Sequence, residues 1–194
     1  DQLSPEEVEG YFRYLALERH LSGESCRLYL NGIRFLYVQV LKRTDFPTAI
    51  AIPKRAQRIP ELLTRKEVEK IIGACRNPKH QMLLMLCYGC GLRVSEVVAV
   101  RVKDIDGERS LLRIEQGKGA KDRLVILSPS LLEVLRDYWH HSHPHHWLFP
   151  HSQDWQRHIG ISTAQRIYTR AKQLVGIEKV GGIHALRHAY ATHQ

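Results

Sequence analysis

The chain has 194 residues, 43% of them apolar, with a formal net charge of +9 and a pI near 9.6. That length suits one large domain, or one domain joined to a small helical one, and the apolar share can fill a core. No window is long and apolar enough to span a membrane. The charged start (Glu6, Glu7, Glu9) is no signal peptide, and four scattered cysteines make no secreted disulfide framework, so a reducing cytoplasm fits. The positive excess points to a polyanion partner; solubility alone would also account for it, and only the placement of the charges separates the two.

Ser4-Pro5-Glu6-Glu7 reads as a helix start, with a Ser N-cap, Pro at the first position and Glu three after the cap. Val8, Tyr11, Phe12 and Leu15 follow at helical spacing. Leu21-Ser22-Gly23-Glu24 breaks that helix, and a second is expected from about Ser25 to Lys42 with Leu30, Ile33, Tyr37, Val40 and Leu41 inward. Two helices bury little surface, so this unit reads as lacking one or more preceding helices. Pro47, Pro53 and Pro60 with Lys54, Arg55 and Arg58 mark a basic linker, suited either to lying along a phosphate backbone or simply to solvent.

Thr64-Arg65-Lys66-Glu67 is a second capping box, opening a helix to about Arg76 with Val68, Ile71, Ile72 and Cys75 inward. Met82 to Tyr88 is nearly all apolar and predicts a central buried helix ending at Gly89-Cys90-Gly91. Cys87-x-x-Cys90 lacks a second Cys pair and reads as core rather than zinc. Ser95 is expected to cap the next helix, which carries Val97, Val98 and Val100, and this puts Arg93 at a helix entrance.

Leu111 to Glu115 and Arg123 to Leu127 look like strands joined by the glycine-punctuated turn Gln116–Asp122, which carries Lys118 and Lys121. It is not a nucleotide P-loop, which would need a second glycine spacing and a following helix. Ser128-Pro129 starts a helix with Leu131, Leu132, Leu135 and Trp139. His140, His141, His143, His145 and His146 cluster around Pro144 at no usual zinc spacing, and a solvated loop is the plainer reading. Trp147 to Pro150 returns to the core. Ser162 is expected to cap a helix with Ile167, Ala171, Leu174 and Val175 inward and Arg166, Arg170 and Lys172 outward, ended by Gly176. In a helix over Ile183 to His193, His184, Arg187 and His188 fall three and four apart and share one face, costly unless an anion lies against it.

With Gly91-Leu92-Arg93-Val94-Ser95-Glu96, Gly117-Lys118-Gly119-Ala120-Lys121-Asp122-Arg123 and His184-Ala185-Leu186-Arg187-His188 in that order, the chain resembles the tyrosine recombinases. The likeness is to the Xer-type, phage and integron integrases, strong over 60–194 and loose over 1–50. The resemblance implies a mainly α fold with a small antiparallel sheet. It divides the chain into a partial helical, SAM-like core-binding domain (1–46), a basic linker (47–61) and a catalytic domain (62–194) that together clamp duplex DNA. By motif, Arg93 and Arg187 match the two family arginines, Lys118 the hairpin lysine and His184 the first His of the box. Glu96 matches the acidic residue that holds the site together, and His188 the second His, usually a packing residue. Lys54, Arg55, Arg58, Lys121 and Arg123 are the expected DNA contacts.

The resemblance also implies the chemistry. A tyrosine hydroxyl attacks a DNA phosphodiester, forming a 3′-phosphotyrosyl link and freeing a 5′-hydroxyl. Guanidinium forks hold the nonbridging oxygens, the lysine protonates the leaving oxygen, and neither metal nor cofactor is required. A tetrameric synapse on DNA and a nucleoid-associated cytoplasmic location go with it. The family's nucleophilic tyrosine is expected downstream of Gln194, so the 194 residues are expected to be catalytically incomplete by themselves, although some members receive the tyrosine from a neighbouring protomer. Tyr190, Tyr168 and Tyr138 are read as packing residues. The competing readings are a non-catalytic DNA-binding relative or regulator and a zinc-dependent nuclease built on the histidines.

Overall fold

The computed structural model describes residues 4–42, 61–115 and 122–193. The chain divides into two compact units, Asp1–Ile59 and Pro60–Gln194. The expected linker, with Lys54, Arg55 and Arg58, and the hairpin turn with Lys118 and Lys121 lie outside the described residues.

In the first unit, α1 (Pro5–Leu17) opens on the expected capping box: the Ser4 N–H donates to Glu7 and the Glu7 N–H to the Ser4 hydroxyl. α2 (Gly23–Arg34) is capped by Ser22, three residues before the expected start, and runs into a π-helical segment (Phe35–Val40). Val8, Phe12, Leu15, Cys26 and Tyr37 form the small core of this unit, with Leu30 and Ile33 partly buried against it. Val40 and Leu41, expected inward, are more than half exposed. The wider π turn shifts the angular position of every later side chain and rotates both out of the α-helical stripe.

The second unit is built around α4 (Pro78–Gly89), capped by Asn77. Its run Met82, Leu83, Leu84, Leu86 and Cys87 is apolar on all sides and fully buried. It therefore contacts α3 (Arg65–Gly73), α5 (Val94–Val98), α6 (Pro129–Ser142), α7 (Ile161–Leu174) and α8 (His184–His193). Cys87 and Cys90 belong to this core, and burial pushes both thiols up to about 12.

A three-stranded antiparallel sheet, β1 (Ile105–Asp106), β2 (Leu111–Ile114) and β3 (Arg123–Ile126), lies in that order. β1 is too short to show a period and was not anticipated. Leu112 and Ile114 alternate into the core, and the register pairs Ile114 with Arg123. Cross-strand partners share a face, so Arg123 is directed to the core side of the sheet while Leu124 and Ile126 face outward.

Four further local expectations differ from the structure. The N-cap of α5 is Arg93, and Ser95 lies inside the helix, because the Glu96 carboxylate accepts from the Arg93 N–H and supplies the cap from the third helical position. Gly160, not Ser162, precedes α7, and Leu174 at its end is exposed. In α6 it is Tyr138 that turns inward, its hydroxyl donating to the Leu148 carbonyl at 3.0 Å, while Trp139 is exposed. The buried phenol is satisfied by that acceptor. The histidine stretch closes α6: His143 takes φ 42° at the C-cap, and His146 and His158 pack edge-on against Trp147. Among the described residues no three His, Cys, Asp or Glu side chains gather as a metal site. No helix among them is long and apolar enough to cross a membrane.

Gly91 joins α4 to α5 at φ +57°, and a Cβ there would overlap the Tyr190 ring of α8. Gly91→Ala combines a left-handed strain with a steric clash, so it is expected to cost at least ~2 kcal/mol in urea unfolding. Loss of under ~0.5 kcal/mol would show that α8 does not rest on this glycine as described.

Candidate phosphate-binding centre

The centre is assembled from three chain segments. Arg93 is the N-cap of α5, a position fixed by the buried Leu92 before it and by Val94 and Val97 after it. Arg187 lies one turn into α8, between the buried Leu186 and Ala189. Arg123 is the first residue of β3.

All three surround Glu96, whose side chain is 6% exposed. Glu96 Oε2 accepts from the Arg93 backbone N–H at 2.8 Å, and Oε1 from Arg93 Nη1 at 2.8 Å. Arg123 grips both oxygens, Nη1 on Oε1 and Nη2 on Oε2, each at 2.8 Å. Arg187 Nη1 stands 4.0 Å from Oε2 and donates to the carbonyl of Gly91, 96 positions away in sequence. A carboxylate has about four acceptor positions, and four short bonds fill them. Burial pushes the Glu96 carboxyl up, but the Arg123 fork and the two Arg93 donors outweigh it and hold it at about 2.

Three guanidiniums around one carboxylate leave an uncompensated cationic surplus, and each arginine side chain is about one-third exposed. Arg93 and Arg187 each engage one terminal nitrogen on these protein partners, leaving other donors of their forks for an anion. The arrangement suits binding of a tetrahedral oxyanion by paired N–H donors.

α8 is held in place from several sides. Tyr190 packs over Gly91, the Tyr88 hydroxyl and His193 Nδ1 share a hydrogen bond at 2.9 Å, and Arg65 donates to the His193 carbonyl. The segment leading into α8 is tied by Lys179 Nζ, which donates to Glu67 Oε2 at 2.7 Å and to the Leu62 carbonyl at 2.8 Å. The Lys179 ammonium and the Thr64 N–H hold the Glu67 carboxyl at about 2.

Of the sequence-predicted residues, the structure brings together Arg93, Glu96 and Arg187. His184 begins α8 one turn from Arg187 and is exposed. His188, expected to pack, is exposed as well. Arg123, expected as a DNA contact, has its guanidinium on Glu96. Sequence reasoning missed a second ion-pair cluster below the hairpin: Arg101 bridges Asp104 (2.8 Å) and Glu115 (2.5 Å), and Arg113 pairs with Asp122 at 2.8 Å. The R-x-x-D spacing of Arg101 and Asp104 repeats that of Arg93 and Glu96 and was the available signal.

The phage integrase family profile matches residues 61–194, and that of the phage integrase N-terminal SAM-like domain matches residues 1–44. A putative integrase/recombinase of Sinorhizobium fredii is 39% identical over 194 residues, covering 100% of this chain and 63% of that protein. A tyrosine recombinase of Pseudothermotoga lettingae is 34% identical, covering 96% of this chain and 66% of its own length. Among solved structures, XerA recombinase superposes with a TM-score of 0.64 at 26% identity, over 98% of this chain and 68% of that one. A lambda integrase dimer bound to a core site gives 0.79 at 17% identity, over 99% and 73%, a likeness of fold. The chain thus spans about two-thirds of the length of these proteins.

The depressed Glu96 carboxyl makes stability depend on pH with a definite sign. Its contribution is complete above the unfolded value near 4.5 and is lost as pH falls toward about 2. Unfolding free energy should therefore drop on acidification through this window. In Glu96→Gln the drop should be shallower, Glu67 supplying the remainder. Urea unfolding at a series of pH values measures both slopes, and equal slopes would remove the charge-paired Glu96 described here.

Proposed function

This chain belongs to the phage integrase family, the tyrosine recombinases, and we propose that it binds duplex DNA and seats one backbone phosphate between Arg93 and Arg187 for site-specific strand cleavage and rejoining. The observation that carries this reading is the convergence of those two arginines, from the entrance of α5 and from α8, on one buried carboxylate.

In the proposed reaction a tyrosine oxygen bonds to phosphorus while the bond to the 5′-oxygen breaks. One phosphoester replaces another, so rejoining needs no external energy. Arg93 and Arg187 bind the nonbridging oxygens, where negative charge grows; a preorganised donor of this kind is typically worth ~3 kcal/mol at the transition state. His184 assists proton movement at the tyrosine, and Lys118 gives a proton to the leaving 5′-oxygen. Arginine suits the first task because its fork matches paired oxygens, and lysine the second because an ammonium can give up its proton. Lambda integrase is bound to DNA as a dimer and to a Holliday junction as a tetramer; a tetrameric synapse belongs to the same proposal.

The same proposal places the nucleophile outside the tyrosines of the second unit, and their surroundings support it. Tyr138 and Tyr168 are buried, which pushes both phenols up to about 12, Tyr190 is packed on Gly91, and Tyr88 is bonded to His193. Supplied by itself with a nicked suicide duplex, this chain should retard DNA without forming a covalent adduct. Binding should weaken steeply with salt. Arg93→Ala or Arg187→Ala should each lower the slope of log K against log salt by about one while sparing most of the affinity. An adduct would overturn the tyrosine assignment, and failure to retard duplex DNA at low salt would overturn the whole reading.

A further inference from the structure

We propose that Arg123 is a positioning residue of the phosphate-binding centre, acting through Glu96 and not through a DNA contact of its own; the inference rests on the reading of Arg93 and Arg187 just given. Arg123 supplies two of the four bonds on the Glu96 carboxylate. Removing it leaves a buried anion with two empty acceptor positions, which such a group does not tolerate. A replacement donor within reach is Arg187 Nη1, already 4.0 Å from Oε2. Glu96 would draw that nitrogen from the Gly91 carbonyl and turn the Arg187 fork from its position. Arg123 thus occupies the carboxylate so that Arg93 and Arg187 keep donors for phosphate.

The same residue fixes the base of the hairpin. The Ile114–Arg123 pairing directs Arg123 toward α5, and on the other strand Glu115 is held by Arg101, just beyond α5. Both hairpin strands are therefore pinned to the segment that carries Arg93. A lysine at 123 would keep the charge but could not span both oxygens as the fork does.

The test is NMR on the DNA-free chain, unsubstituted and as Arg123→Gln and Arg123→Lys, following the Glu96 carboxyl carbon and the Arg93 and Arg187 Nε–Hε signals. In Arg123→Gln the Glu96 midpoint should move up from about 2 by at least ~1 pH unit, and the Arg187 signal should shift and broaden. Arg123→Lys should fall between, and it carries the test if the glutamine variant does not fold. A merely structural role would lower unfolding stability and leave the arginine signals where they were; superimposable Arg93 and Arg187 signals in a folded variant overturn the proposal. DNA plays no part in the measurement, so a chain that failed to bind duplex would sink the earlier reading while leaving these shifts standing.

Discussion

A carboxylate that is almost fully buried cannot be left half satisfied, and Glu96 is the constraint from which the second unit takes its form. Removing such a group from water costs several kcal/mol unless nearly every acceptor position is filled. Here the four bonds come from the Arg93 backbone, the Arg93 side chain and both ends of the Arg123 fork. No single segment can provide them. The entrance of α5 and the first residue of β3 must meet at one point, and α8 must arrive close enough for Arg187 to complete the ring. Lysine has no fork to span two oxygens.

The placement of α8 is a separate problem with a separate solution. Its inner side offers Leu186, Ala189 and parts of Ala185 and Tyr190, modest apolar area for a helix that carries charged groups. Directional contacts make up the difference. Gly91, at positive φ and without a Cβ, admits the Tyr190 ring, and its carbonyl accepts from Arg187. His193 is held by Tyr88 and Arg65 at the far end, and Lys179 secures the approach. The all-apolar α4 connects these points, because a rigid close-packed helix transmits position where a loop would not.

Much of this was legible in the sequence, for reasons that differ by element. The capping boxes at Ser4 and Thr64 and the apolar run at Met82 were readable because the interactions that define them are local. The grouping of Arg93, Glu96 and Arg187 followed from spaced motifs and not from periodicity. What escaped was decided by tertiary partners. Trp139 and Tyr138 are neighbours that either of two helical patterns could turn inward, and it is Tyr138 that meets the Leu148 carbonyl. Val40 and Leu41 lost their place to one π-helical turn. Arg123 read as a DNA contact because sequence offers no sign that its strand register aims it at a buried anion.

An acidic group amid arginines proposed to bind an anion looks self-defeating, yet electrostatics favours it. Three guanidiniums within reach of one another repel, and in the absence of ligand they would spread into solvent. Glu96 offsets that repulsion and fixes the geometry while leaving a cationic surplus. In the proposed phosphoryl transfer the ligand enters with one negative charge and gains more on its nonbridging oxygens as the new bond forms. Donors already held in place need not reorganise at that moment, which is where an ordered polar site outperforms water. In that proposed reaction the buried carboxylate would contribute by keeping the arginines arranged when no phosphate is there to do so.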